Sequence, residues 1–122
     1  MTRFRVDGKP ISQGSMSVFN GRIVHQKSKE LMAWRSAIHV TCRERMTPIV
    51  GAVFVGLEFD MPAPQRNTRH YPFVKPDLDK LVRAVLDGLT GAAFKDDSQV
   101  VELMASKRYA PQGVTITVRE HL

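Results

Sequence analysis

The stretch Lys75–Lys107, KPDLDKLVRAVLDGLTGAAFKDDSQVVELMASK, decides how this chain is read. Leu78, Leu81, Val82, Val85 and Leu89 recur at helical spacing and predict a helix from Pro76 or Asp77 to about Thr90. Proline and a capping acid suit its start, and Gly91 is the natural stop. Asp79, Arg83 and Asp87 run along a second face at i, i+4 and i+8. A strand follows near 99–106 and another at 114–119, where Val114, Ile116 and Val118 alternate with Thr115, Thr117 and Arg119. The stretch is also an acidic knot in a basic body. Residues 1–76 hold twelve Lys/Arg against five Asp/Glu, residues 77–97 three against five, and residues 98–122 three against two. Cations that attract phosphate, around carboxylates that need a counter-charge, fit a metal-dependent enzyme acting on a polyanion.

Upstream, residues 2–6 alternate and read as a strand, with Phe4 and Val6 on one face. Gly8, Pro10 and Gly14 break regular structure. Asn20-Gly21 between Val18-Phe19 and Ile23-Val24 predicts a hairpin with a type I′ turn, a small flap. Leu31, Trp34, Ile38 and Cys42 form a stripe on a helix over about 29–46, with Ser28 as its cap and Pro48 as its stop. Trp34 and Cys42 read as core residues on that stripe. Residues 49–61 form a long strand with Val53, Val55, Leu57, Phe59 and Met61 on one face and Glu58 and Asp60 on the other. The proline-rich run after it is a loop carrying Arg66, Arg69, His70 and Lys75 just before the carboxylates. These cations are read as phosphate contacts, a mobile solvated loop being the plainer alternative. The order β, hairpin, α, β, α, β, β predicts one α+β domain: a mixed, mainly antiparallel sheet with two helices packed on it.

With 122 residues the chain is one domain able to bury a core unaided. The net charge of +6 favours nucleic acid as partner; no stretch approaches 18 apolar residues, so no membrane partner is expected. MTRFRVDGKP has no apolar h-region, so no secretory signal is expected, and the single cysteine excludes an internal disulfide. The scattered histidines and serines form no paired-ligand spacing, phosphate loop or nucleophile elbow, and no organic cofactor is implied.

Inside a regular helix the side chains of Asp77 and Asp79 would diverge by roughly 200°. With Asp77 at an extended N-cap and Asp79 in the first turn, both carboxylates can turn to one ion, and the positive helix end favours them. Taken alone, this is also an ordinary capping pair. Asp96-Asp97 changes the weighing, because a turn past Gly91 brings the chain back towards the helix. Neighbours on a strand point to opposite faces, so one of the two joins Asp77 and Asp79, and spacing does not say which. The plainer reading of that pair is a polar turn before an edge strand. Clustered carboxylates suit Mg²⁺, with Mn²⁺ as a substitute, which keeps waters and phosphate oxygens as its other ligands. Arg83 either pairs with Asp79 and Asp87 or faces the scissile phosphate.

PDLDKLVRAVLDGLTG followed by KDDSQV resembles the central motif of the RusA family of Holliday-junction resolvases, often encoded by phages and prophages. The resemblance is specific over Pro76–Val101 and extends loosely over the chain through length and element order. It implies a single RusA-like endonuclease domain over 1–122. It also implies a homodimer that straddles a four-way DNA junction and nicks two opposed strands symmetrically, in DNA recombination and repair, in the cytoplasm of a bacterial or phage-infected cell. The essential acids of such enzymes, proposed to bind Mg²⁺, fall on Asp77, Asp79 and Asp97. A basic residue four after the second acid, usually lysine, assists catalysis; here it is Arg83, which keeps the charge but donates no proton. The position after the second acid, often Asn, is Lys80, read as one more phosphate contact. With Arg66, Arg69, Lys75 and Lys95 it completes the expected DNA-binding set. The alternatives are a nuclease of looser branched-DNA preference and a non-catalytic DNA-binding protein whose aspartates are caps and ion-pair partners.

Overall fold

The computed structural model describes residues 1–13, 16–19, 22–25 and 28–122, with the side chains of 1–13 and 29–122. In chain order the elements are β1 (Thr2–Asp7), β2 (Met16–Phe19), β3 (Arg22–His25), α1 (Ser28–Arg45), β4 (Val53–Met61), α2 (Leu78–Leu89), a 3₁₀ turn (Asp97–Gln99), β5 (Val100–Tyr109) and β6 (Gly113–Glu120). One four-stranded sheet runs β1-β6-β4-β5; β4 is antiparallel to β6 and parallel to β5. β2 and β3 pair antiparallel as a separate hairpin, Phe19 opposite Arg22. Its Asn20-Gly21 turn lies outside the described residues. This is the expected α+β domain with a mixed sheet and two helices.

The periodicities become the core directly. Val53, Val55, Leu57, Phe59 and Met61 of β4 are buried with Val114, Ile116 and Val118 of β6 and Phe4 and Val6 of β1. The alternation places one face of each strand under the helices. From α1 come Leu31, Trp34, Ile38 and Cys42, and from α2 Leu81, Val82, Val85 and Leu89. Burial pushes the Cys42 thiol up to about 11, so it stays protonated and inert. The helices approach closely at Gly88. A Cβ there would meet the Arg35 carbonyl at 3.0 Å and Ile38 at 3.1 Å, so no larger residue fits without moving α1.

Two expectations change. The strand foreseen from 49 begins only at Val53, because Gly51 takes φ +104° and breaks it, while Ile49 bridges to Phe94. Asp60, expected with Glu58 on the face opposite the apolar stripe, is 2% exposed. It lies between Arg5 Nη1 and Arg108 Nε, each at 2.6 Å. Burial pushes its carboxyl up, but the hydrogen bonds from Arg108 and Arg5 outweigh that and hold it below the usual carboxylate range. Gly113 makes this possible, since a Cβ there would stand 2.5 Å from the Arg5 guanidinium.

Candidate active site

The α2 N-terminus carries Asp77 as N-cap, with extended dihedrals of φ −68° and ψ 140°. Unlike most capping acids, its side chain accepts no hydrogen bond from the helix N–H groups. Among the described residues it has one ionic neighbour, Lys80 Nζ at 3.6 Å, an exposed pair of small energetic weight. Asp79, in the first turn, is exposed and makes no ion pair or side-chain hydrogen bond among the described residues. Arg83, one turn on, is also exposed. Of the two acids expected to pair with it, Asp87 is taken by Arg35 Nη2 at 2.8 Å. That leaves Arg83 without an ion pair among the described residues, on the helix face that presents Asp79.

Asp77 opens onto a cleft of about 460 Å³. Among the described residues, Lys9, Lys75, Lys80 and Lys107 line it. Its walls are apolar, from Ile11, Met61 and a series of prolines. Two sets of hydrogen bonds hold this end together. Gln13 N–H donates to the Lys80 carbonyl at 3.0 Å, laying the segment after β1 over the first turn of α2. Lys107 Nζ donates to the carbonyls of Val74 and Pro76, both at 2.9 Å, fixing the chain that delivers Asp77. Lys75 and Lys80 were foreseen as cationic contacts; Lys9 and Lys107 were not. Lys107 shares a face of β5 with Ala105 and Tyr109, but nothing in the sequence says that this strand ends beside Pro76.

The two acids of the DD pair divide their work. Asp96 accepts from Ser98 N–H at 2.9 Å and caps the 3₁₀ turn, and that backbone bond holds its carboxyl below the usual range. Gln99 completes a capping box. Its Oε1 accepts from Lys95 and Asp96 N–H, and its Nε2 donates to the carbonyls of Ile49 and Gly51 at 2.9 Å. The turn is thereby pinned to the chain entering β4. Asp97 remains exposed, with no capping duty and no ion pair among the described residues.

Within one chain the three acids do not meet. Asp77 and Asp79 sit where α2 begins, beside Lys107 near the end of β5. Asp97 precedes the start of β5, at the end of the molecule where α2 finishes. The turn after Gly91 returns the chain to the C-terminal end of α2, not to its start: Gly91 N–H bonds Phe94 O, and Ile49 N–H bonds Ala93 O. Val100 to Lys107 spans roughly 23 Å of strand, and α2 itself is about 18 Å long. Among the described residues no three His, Cys, Asp or Glu side chains gather about one metal position. The pair at the α2 start nevertheless suits a hard cation. Both carboxylates are solvent-facing and uncommitted to backbone, and Mg²⁺ needs only one or two protein carboxylates beside water and phosphate.

Of the remaining expected cations, Arg66 is exposed and Arg69 part-buried in the loop before Asp77, and Lys95 is exposed beside the DD turn, remote from the cleft. No helix among the described residues is long and apolar enough to cross a membrane. A family model described as Endodeoxyribonuclease RusA matches residues 7–119. A protein of Bacillus subtilis (strain 168), described as uncharacterized protein YqaN, is 29% identical over 135 residues, covering 97% of this chain and 95% of that protein.

Proposed function

The chain belongs to the RusA endodeoxyribonuclease family, and from that premise we propose that it is a Mg²⁺-dependent nuclease resolving four-way DNA junctions by paired nicks, in the cytoplasm of a bacterial or phage-infected cell. The observation that carries the reading is the α2 start, where Asp77 opens onto a lysine-lined cleft and Asp79 stands exposed in the first turn, neither carboxylate bonded to backbone, in a chain of net charge +6. Lys9, Lys75 and Lys80 draw the phosphate backbone into the cleft, and Arg66 and Arg69 extend the track along the preceding loop. Asp77 and Asp79, completed by Asp97 of the partner subunit, would hold the metal. When bound, it supplies Lewis-acid polarisation of the phosphodiester and a more acidic water. Arg83 stabilises charge developing on the phosphate, through its fixed positive charge rather than proton donation. Lys107 keeps the Asp77 backbone in place.

The active species is a homodimer. β5 is an edge strand, unpaired on its outer side among the described residues, and it exposes Val101, Leu103 and Met104. An open apolar edge is a pairing surface. Antiparallel pairing of β5 with its copy, about a two-fold near Leu103 and Met104, carries Asp97 of the partner subunit to the Lys107 end, where Asp77 and Asp79 lie. Each dimer then has two complete sites related by the symmetry of the junction.

Cleavage of a labelled four-way junction tests this reading. Mg²⁺ or Mn²⁺ should support two symmetric nicks, and Ca²⁺, with its looser geometry, binding alone. Full activity in excess EDTA would remove the metal from the mechanism. Binding without cleavage under every metal would leave a DNA-binding protein.

A further inference from the structure

We propose that Tyr71 and Phe73 form a stacking platform for bases whose stacking is interrupted at a DNA branch point, and so discriminate branched DNA from continuous duplex. The proposal rests on the nuclease reading above and adds to it the means of recognition. Phe73 is 76% exposed and Tyr71 68%, the two most exposed aromatic rings among the described residues. With Val74, 42% exposed, they make an apolar run along one loop, and such patches mark contact surfaces. They are not loose. Pro72 between them is buried in the cleft wall, and Phe73 N–H donates to the Tyr71 carbonyl at 2.9 Å. Beyond them, Lys107 grips the Val74 and Pro76 carbonyls. Before them, the Asn67 side chain bonds the Arg69 backbone in both directions, at 3.0 and 3.1 Å. The loop is thus tied on both sides, with the rings left outside.

Their chemical neighbours identify the partner. Arg69 lies 5.3 Å over the Phe73 ring, and Arg66 and Lys75 stand in the same loop. Aromatic rings interleaved with cations are the composition of a surface for nucleic acid with exposed base faces, where each unstacked base offers a π-face and each phosphate a charge. A second copy of this chain fits less well, because it would bring the same cations against themselves. Phe73 is four residues before Asp77, at most about 14 Å of extended chain. A base stacked on it therefore lies close to the carboxylates. Continuous duplex has its bases already stacked and offers none, whereas a four-way junction strains stacking at its centre.

The test compares a four-way junction with linear duplex of the same sequence, in EDTA so that neither is cut. The paired substitution Tyr71→Ala with Phe73→Ala should weaken junction binding about ten- to a hundredfold and change duplex binding less than about twofold. Phe73→Trp should keep junction affinity. The slope of affinity against salt should stay unchanged in all variants, since no phosphate contact is removed. Equal weakening on both DNAs, or none on either, would overturn the proposal. So would sedimentation showing that the Ala variant has lost its self-association, which would give the rings to a second copy. A wild-type protein that neither binds nor cuts junctions removes the nuclease reading as well. Wild-type junction cleavage with unaltered selectivity in the Ala variant removes this proposal alone.

Discussion

Asp96 and Asp97 are adjacent, chemically identical and differently employed. The Asp96 carboxylate is bound to Ser98 N–H, whereas Asp97 is open to solvent. Asparagine caps as well as aspartate, so Asp96→Asn should leave most activity. If the three acids are metal ligands as proposed, Asp77→Asn, Asp79→Asn and Asp97→Asn should each lower single-turnover junction cleavage by at least about a hundredfold. Junction binding should hold or tighten, because a negative charge beside phosphate is removed. In the same assay Arg83→Lys should retain substantial activity and Arg83→Ala lose most of it. Asp60 belongs to stability instead. Its carboxyl titrates below the unfolded value of roughly 3.9, so its contribution is complete above that pH and lost as pH falls through the folded value. Asp60→Asn should cost about 2–3 kcal/mol near neutrality, less than for a fully buried pair because Arg5 and Arg108 remain partly solvated. Urea unfolding should show a constant gap from about pH 5 to 7 that narrows below about pH 4.

α2 carries Asp77 and Asp79 at one end, and its other end leads into the turn that places Asp97. Both ends are set by contacts outside the helix. At its start the Lys107 ammonium holds the incoming chain, and past its end Gln99 staples the DD turn to the entrance of β4. Gln99→Ala removes four hydrogen bonds from one side chain but leaves the core intact. It should reduce the cleavage rate about ten- to a hundredfold by misplacing Asp97, while junction affinity stays within about twofold. Thermal unfolding should show only a small loss, since the turn lies at the surface. Unchanged single-turnover cleavage in Gln99→Ala would show that Asp97 needs no such fixing.

At the scale of the whole molecule, a metal site built from Asp77, Asp79 and Asp97 together would need two subunits, because Asp97 stands apart from the other two within one chain. This has a direct test. Asp79→Asn and Asp97→Asn homodimers should both be inactive. Mixed and allowed to exchange subunits, they should form dimers in which one shared site carries both substitutions and the other carries neither. Nicking should return, to about a quarter of the wild-type site activity if exchange is random, and each active dimer should nick one strand. Sites built within single chains would stay dead in the mixture. Recovery is read on a junction labelled on two opposed strands, so paired and single nicks are counted separately.

What the sequence determined by itself are the parts governed by short repeats along the chain. The stripe of α2, its Asp77 cap and Gly91 stop, the buried positions of α1 and β4, and the alternation of β6 all appear where their periods place them. Each depends on residues a few positions apart, and burying one face of a helix or strand is a local geometric decision. The candidate acids were legible too, through their clustering and the family resemblance. Where those acids stand was decided by tertiary structure alone. The parallel register of β4 and β5 sends Asp97 to the far end of α2, and a register is a relation between segments some fifty residues apart, Val53 facing Val100. Asp60 reads as an outward residue by alternation and becomes buried because Arg5 and Arg108, distant in sequence, close over it. Lys9 and Lys107 join the cleft for the same reason. Polar side chains carry no periodic signature of their partners, and a long flexible lysine or arginine is placed by whatever carbonyl or carboxylate the assembled fold brings within its reach.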